Sequence, residues 1–109
     1  MIKAYCKMPE RPLAEIDIFD DLPCMQEFVG GYIECVTITP GIVMICNEEG
    51  KLRGLEPNFR WMGDVVVGPV LFCGTVETED GGAFTDMPLS FDEFKKSFDK
   101  IAKEVPHGR

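Results

Sequence analysis

The chain has 109 residues, of which 45% are hydrophobic and 28% are charged, and its formal net charge is −8. This size predicts one domain, residues 1–109, with a single core, and the composition excludes a disordered chain. The elements predicted along the chain indicate an α+β fold, with a mixed or antiparallel sheet of four or five strands, one short helix and one longer C-terminal helix. The apolar runs are far shorter than the ~20 residues of a spanning helix, and the N-terminus lacks the apolar core of a signal peptide, so we expect a cytoplasmic protein with no membrane segment.

The first third of the chain predicts two strands and a short helix. Ile2 to Cys6 and Leu13 to Ile18 both alternate in polarity and could pair with each other. A helix of about two turns follows, with Asp20 or Asp21 as its N-cap and Gly30 as a left-handed stop. Because so short a helix is unstable alone in water, we expect it to dock on the sheet. Its predicted apolar face comprises Leu22, Met25, Phe28 and Val29.

The stretch from residue 32 to residue 50 predicts a β-hairpin at the centre of the sheet. Two apolar runs, 32–38 and 42–46, are joined by Thr39-Pro40-Gly41 and end at the polar turn of residues 47–50. Since both strands carry apolar residues on both faces, we expect a layer of structure on each side of the sheet. Glu34 is the exception: we expect its carboxylate at an exposed edge, with a role in a site as the alternative.

Residues 51–63 show the periodicity of neither a helix nor a strand. They include the only tryptophan, Trp61, together with the basic residues Lys51, Arg53 and Arg60. This is therefore the one cationic stretch of the chain that also holds an aromatic side chain.

The remainder predicts a strand, a loop and a helix. The strand spans Asp64 to Thr75, with Gly68-Pro69 forcing a bulge or an edge position because proline cannot donate to the ladder. Residues 77–82 predict a charged, flexible loop. A helix near 90–104 begins with a capping box of Ser90 and Glu93 and ends before Pro106. Its predicted apolar stripe comprises Phe91, Phe94, Phe98, Ile101 and Val105.

Cysteine usage fits a reducing compartment. The number of cysteines is odd, no CxxC spacing occurs, and most of them lie in apolar runs. This pattern predicts free, buried thiols that behave as small hydrophobic side chains, with a disulfide as the alternative. The residues are Cys6, Cys24, Cys35, Cys46 and Cys73.

The sequence contains no recognisable catalytic or metal-binding arrangement. The only histidine, His107, follows Pro106, so we expect no Cys-His or Ser-His pair. The cysteines lack zinc-site spacing, and the acidic loop around Asp80 lacks the ligand pattern of a calcium loop. Gly30-Gly31 stands between a helix and a strand, the reverse of the order in phosphate-binding loops. We expect a binding protein with no catalytic residue, no metal and no cofactor.

Several segments resemble a known family. They are FVGGYIE at 28–34, ICNEEGKL at 45–52, GLEPN at 54–58, and DVVVGP at 64–69 with Phe72. Together they resemble domain-of-unknown-function family 3846, small proteins found largely on bacteriophages and mobile elements. The resemblance covers residues 1–75 well and the last helix loosely, and it implies no activity or catalytic residue. Pro69 and the bulky segment 56–61 depart from the family pattern.

Charge and the resemblance together suggest a partner. Residues 1–50 carry a net charge of −6 and residues 51–109 a net charge of −2, which disfavours direct nucleic-acid binding because that binding needs Lys and Arg to neutralise phosphates. The resemblance implies a mobile-element context, in which small acidic proteins often inhibit host defence. We therefore predict a non-enzymatic, anti-CRISPR-like counter-defence inhibitor that binds a host protein with a basic surface, such as a nucleic-acid-guided nuclease. The sequence leaves the oligomeric state open.

Two other functions remain open. One is a small-ligand binder, such as a sponge for a signalling nucleotide, with basic side chains on the phosphates and Trp61 stacked on the base. The other is an accessory scaffold. For any binding role we place the site in residues 48–61, because exposed Trp and Arg favour interfaces, although a tryptophan can also be part of the core. The predicted site residues are Glu48, Glu49, Lys51, Arg53, Arg60 and Trp61.

Overall fold

The computed structural model describes residues 1–105, which form two helices and nine strands. The strands are β1 (Ile2–Lys7), β2 (Ala14–Ile18), β3 (Ile33–Thr39), β4 (Ile42–Asn47), β5 (Pro57–Trp61), β6 (Asp64–Val67), β7 (Val70–Thr78), β8 (Gly81–Thr85) and β9 (Lys103–Glu104). The helices are α1 (Leu22–Val29) and α2 (Phe91–Ile101). The α+β class is confirmed, whereas the strand number exceeds the predicted four or five. Across this described part of the chain, neither helix has the length and apolar content needed to cross a membrane.

The strands form two antiparallel sheets. The larger, six-stranded sheet has the order β2-β1-β7-β4-β3, and β8 pairs with the second half of β7 beyond the end of β1. The smaller sheet has the order β6-β5-β9. The predicted pairing of the first two strands is confirmed, with a register that runs from Ile2 opposite Ile18 to Cys6 opposite Ala14.

The predicted hairpin is present as β3 and β4, but only one of its strands is central. All six residues of β4 are buried between β3 and β7, whereas β3 is the edge strand of the sheet. The difference arises because β7, from later in the chain, pairs with β4, and no strand within residues 1–105 pairs with the outer side of β3. Glu34 is exposed at this edge, as expected.

Both faces of the large sheet are covered, as predicted. Along β1, β4 and β7, alternate residues enter two separate core clusters, one under each helix. The α1 cluster contains Ile2, Ala4, Cys6, Met25, Val29, Val43, Ile45, Leu71 and Cys73. The α2 cluster contains Tyr5, Leu13, Ile42, Met44, Cys46, Phe59, Val70, Phe72, Met87, Phe94, Phe98 and Ala102.

Helix α1 has the predicted ends but a narrower apolar face. The Asp21 carboxylate accepts a hydrogen bond from the backbone N–H of Cys24 at 2.9 Å, and Gly30 ends the helix with a φ of 84°. Met25 and Val29, four residues apart, are buried, whereas Leu22 is half exposed. The prediction that Leu22 packs on the sheet was wrong because the helix presents little more than one residue per turn to the sheet.

Helix α2 is shorter than predicted. Its capping box is confirmed, with reciprocal hydrogen bonds between Ser90 and Glu93, and Phe94 and Phe98 are buried. The chain leaves the helix after Ile101, which is 47% exposed, because the next residues form β9 beside β5. Val105 therefore follows a strand instead of extending the apolar stripe. The predicted stop at Pro106 lies outside the described residues.

Three further predictions were wrong in the second half of the chain. The strand predicted from Asp64 to Thr75 is two strands, because Gly68 has a φ of 76° and Pro69 follows it, and the chain crosses there from the small sheet to the large one. The segment predicted to lack periodicity contains β5, joined to β6 by a tight turn at Met62 and Gly63. The predicted loop at 77–82 is the β7–β8 hairpin.

Candidate functional site

A polar cleft of about 210 Å³ lies between the β3–β4 pair, the turn of residues 48–54 and β6. Its lining residues come from the same segments that carry the family resemblance. They are Glu34, Cys46, Asn47, Glu48, Gly50, Lys51, Leu52, Asp64, Val65, Val66 and Val67. The fold thus brings segments that are distant in sequence to one corner of the molecule.

Two side chains attach the turn of residues 48–54 to the end of α1. The Asn47 Nδ2 atom donates to the Val29 carbonyl at 3.0 Å, and its Oδ1 accepts from the Glu49 N–H at 2.8 Å. Arg53 Nη1 donates to the Gly30 carbonyl at 2.7 Å. A Cβ atom on Gly31 would lie 2.9 Å from both the Asn47 and the Arg53 side chains. The Gly-Gly pair is therefore a helix end approached closely by two side chains, which agrees with its interpretation as a cap.

A buried pair of polar residues joins the two sheets behind this corner. Asn58 is fully buried, and its Nδ2 donates to the carbonyls of Lys7 and Gly68, each at 2.7 Å. Its Oδ1 accepts from Lys7 Nζ at 3.1 Å, and the same ammonium donates to the Met8 carbonyl. Lys7 is only 3% exposed, and burial lowers its pKa below 10.5, an effect partly offset by Glu104 at 3.9 Å. Sequence reasoning missed this pair, for which the only signal was an asparagine in the GLEPN motif.

The cleft brings together two of the six predicted site residues, Glu48 and Lys51. Lys51 Nζ lies 2.6 Å from Asp64 Oδ1, and this hydrogen bond lowers the pKa of Asp64. Both side chains are exposed, so their ion pair contributes little to stability. Glu49 is exposed on the same turn but outside the lining of the cleft.

The other predicted site residues lie elsewhere. The Arg53 side chain donates a hydrogen bond to the Gly30 carbonyl at the end of α1. Arg60 is exposed on β5, opposite Lys103 of β9. Trp61 is half buried and meets Phe59 edge to face at 6.3 Å between ring centroids. It lines a separate apolar cleft of about 220 Å³ against α2. Of the two interpretations of Trp61, an exposed interface residue or part of the core, the structure agrees with the second, because β5 places this side chain against the α2 core cluster.

The one thiol in the polar cleft is not an activated nucleophile. Cys46 lies in the cleft with its Sγ atom 4.0 Å from Glu34 Oε1. Burial first, and then the Glu34 carboxylate, raise the pKa of this thiol to about 11, so it is protonated near neutral pH and is a poor nucleophile. All five cysteines are free, but Cys35 is exposed and Cys24 partly so, which corrects the expectation of burial for those two. Within residues 1–105, no set of three His, Cys, Asp or Glu side chains is arranged to hold a metal ion.

A second candidate surface surrounds β2 and the start of α1. Five exposed carboxylates lie there, and none of the ion pairs found within residues 1–105 involves them. No Lys, Arg or His occurs between Pro12 and Glu34, whereas residues 91–105 balance four lysines with four acidic residues. The negative charge is therefore concentrated on one part of the molecule. We call this surface, which wraps around the β2 edge of the large sheet, the acidic face; it consists of Glu15 and Asp17 on the α2 side of the sheet and of Asp20, Asp21 and Glu27 before and within α1.

Comparison with known proteins shows that the chain matches one protein family. A family model described as "Domain of unknown function (DUF3846)" matches residues 2–99, which is most of the chain. No curated protein and no solved structure matches the chain significantly.

Proposed function

The chain belongs to the family described as domain of unknown function DUF3846, and we propose that it is a non-enzymatic inhibitor that binds a basic surface of a host protein in the cytoplasm. The proposal includes a counter-defence role in the context of a phage or mobile element. The partner class is a nucleic-acid-guided nuclease, whose guide and target strands lie in a positively charged channel.

The acidic face is the observation that carries this proposal. Its five carboxylates are exposed and free of ion pairs within residues 1–105, so their field reaches the solvent. A concentrated negative surface steers a protein towards a basic partner and raises the rate of association. It also repels the phosphate backbone, so the chain competes with nucleic acid for a basic surface and does not bind nucleic acid itself.

Protection of a plasmid in cells tests the proposal. The chain is co-expressed with an RNA-guided nuclease directed against a plasmid, and plasmid survival is measured. The triple variant Glu15→Gln, Asp17→Asn, Asp20→Asn removes three charges but keeps Asp21, the cap of α1. The matched control Glu77→Gln, Glu79→Gln, Asp80→Asn removes three exposed charges from the β7–β8 hairpin.

The expected result is protection by the parent and by the control variant, and its loss in the acidic-face variant. A parent that gives no protection against nucleases of this class would contradict the proposal. So would an equal loss in both triple variants, because net charge alone would then explain the effect.

The polar cleft supports a second candidate function, the binding of a small polar ligand. Glu48, Lys51 and Asn47 offer charged and hydrogen-bonding groups around it. Its volume of about 210 Å³ is below the roughly 300–1,000 Å³ of pockets that hold drug-sized ligands. Trp61 lies in another cleft, so stacking of a base beside Lys51 is not supported. A thermal-shift screen distinguishes the two candidates, since a ligand bound only by the folded state raises the melting temperature.

A further inference from the structure

An apolar hollow of about 350 Å³ opens beside the acidic face, between the N-terminus, the end of β2 and α1. Phe19 is 53% exposed at its margin, and Phe28 and Ile18 are half buried inside it. Single exposed apolar side chains are ordinary, whereas several around one concavity, rimmed by polar residues, are typical of an interaction site. The residues that line this α1–β2 hollow are Met1, Asp17, Ile18, Phe19, Cys24, Glu27 and Phe28.

The hollow exists because this half of the sheet face is incompletely covered. Helix α1 packs mainly against β3 and β4, near the edge of the sheet opposite to β2. Ile16 and Ile18 of β2 point to this same side of the sheet. Because the helix lies away from them, their side chains stay half exposed. Within residues 1–105, β2 pairs only with β1, so its outer edge is open as well.

The charges around the hollow specify what can occupy it. Glu27 forms part of its wall, and Asp21 accepts a hydrogen bond from the N–H of Cys24 in the same wall. Asp20 follows Phe19 directly. Asp17 also borders the hollow, but it alternates with Ile16 and Ile18, so its side chain projects to the other face of the sheet. The β1–β2 pairing places one basic residue, Lys3, opposite Asp17. A second copy of this chain would bring the same carboxylates against these, and like charges facing each other oppose association. A nucleic acid would be repelled for the same reason.

We propose that the α1–β2 hollow is the docking site for a basic segment of the partner protein. In this arrangement, Lys or Arg side chains of the segment contact Glu27 and the adjoining carboxylates of Asp20 and Asp21, and a bulky apolar side chain enters between Phe19 and Phe28. The inference rests on the proposed function and adds to it the place of binding and the chemistry of the bound segment. The apolar contact supplies affinity where charge alone supplies mainly steering.

Binding of synthetic peptides to the full chain tests the inference. The probe is a short fluorescein-labelled peptide that alternates Lys with Leu, and its affinity is measured by fluorescence anisotropy. One comparison peptide carries Ser in place of every Leu, and another carries Glu in place of every Lys. The parent should bind the Lys-Leu peptide at least ~10-fold more tightly than either comparison peptide.

Matched variants locate the binding. Phe19→Ser is compared with Met62→Ser, since Met62 is 83% exposed at the distant β5–β6 turn. Asp20→Asn with Glu27→Gln is compared with Glu77→Gln and Glu79→Gln on the β7–β8 hairpin. We expect a loss of ~10-fold in each hollow variant and little change in either control. Equal losses in the hollow variants and their controls, or a Ser peptide that binds as well as the Leu peptide, would overturn the inference.

A second measurement covers the case in which a variant fails to fold. Amide chemical shifts of the parent, recorded with and without the Lys-Leu peptide, should change most at residues 17–19 and 24–28. Changes confined to another surface would refute the docking site. If the peptide binds the hollow but the parent protects no plasmid, the proposed function fails and the docking site stands. If the plasmid is protected and the hollow variants are as active as the parent, the docking site fails and the function stands.

Discussion

Replacing Asn58 with alanine should reduce the free energy of unfolding by about 4 kcal/mol. The side chain is fully buried and makes three hydrogen bonds, two to the carbonyls of Lys7 and Gly68 and one from the Lys7 ammonium. Each carbonyl that loses its donor costs about 1 kcal/mol, and the ammonium that loses an acceptor costs about 2 kcal/mol. The cavity left behind adds to this sum. Since domains are stable by only ~5–15 kcal/mol, the change is a large fraction of the total.

Urea denaturation followed by circular dichroism measures this cost, and a double-mutant cycle assigns it. Lys7→Met removes the ammonium and keeps the backbone carbonyl, so Asn58→Ala should cost only about 2 kcal/mol in that background. Lys51→Ala, which breaks an exposed ion pair, serves as a control and should leave the midpoint nearly unchanged. A cost of Asn58→Ala under about 1 kcal/mol, or an equal cost in both backgrounds, would refute the role given to this pair.

Four further predictions concern the core, the thiols and the charged groups. Phe94→Ala should cost ~3–5 kcal/mol, and unchanged melting would show that α2 does not pack as described. Trp61→Ala should cost about 2 kcal/mol while Arg60→Ala costs nothing measurable, and equal stability of the two variants would mean that Trp61 lies outside the core. A thiol reagent should count five free cysteines in denaturant without reductant and should modify exposed Cys35 first in the native protein; a count of three or one would mean a disulfide. Burial lowers the pKa of Lys7, so between the pKa of the folded state and 10.5 the unfolded chain binds more protons than the folded one. The stability of the parent relative to Lys7→Met should therefore rise as the pH approaches 10.5, and a stability difference that does not change with pH would contradict the burial of a charged amine.

Local chemistry predicted the elements that depend on neighbouring residues. The capping box of Ser90 and Glu93, the cap at Asp21, the left-handed Gly30 and the β3–β4 hairpin all follow from residues within a few positions of each other. The paired strands β1 and β2 were also predictable, since alternation marks both and the connection between them is short.

The missed elements depend on residues far apart in the chain. Strand β9 has two residues and exists because they pair with β5, more than forty positions earlier. The break at Gly68-Pro69 was visible in the sequence, but the sequence could not show that it separates two sheets. Asn58 became important only because the fold places it beside Lys7.

The candidate sites also contain some features that depend on neighbouring residues and others that depend on residues far apart in the chain. Glu48 and Lys51 share a cleft because a single turn carries both, whereas Trp61 and Arg53 face other parts of the molecule. The excess of negative charge in residues 1–50 was evident from composition. Its concentration beside an apolar hollow depends on how β2, α1 and the N-terminus meet.

The most direct test of the account is the association of the purified chain with a purified RNA-guided nuclease, measured by biolayer interferometry over a series of salt concentrations. The account predicts binding that weakens as salt rises, and that is reduced when the basic channel of the nuclease is already filled with guide and target strands. The acidic-face triple variant should bind more weakly than the β7–β8 control variant under every condition. Absence of binding at low salt, or binding that responds neither to salt nor to bound nucleic acid, would contradict the central claim.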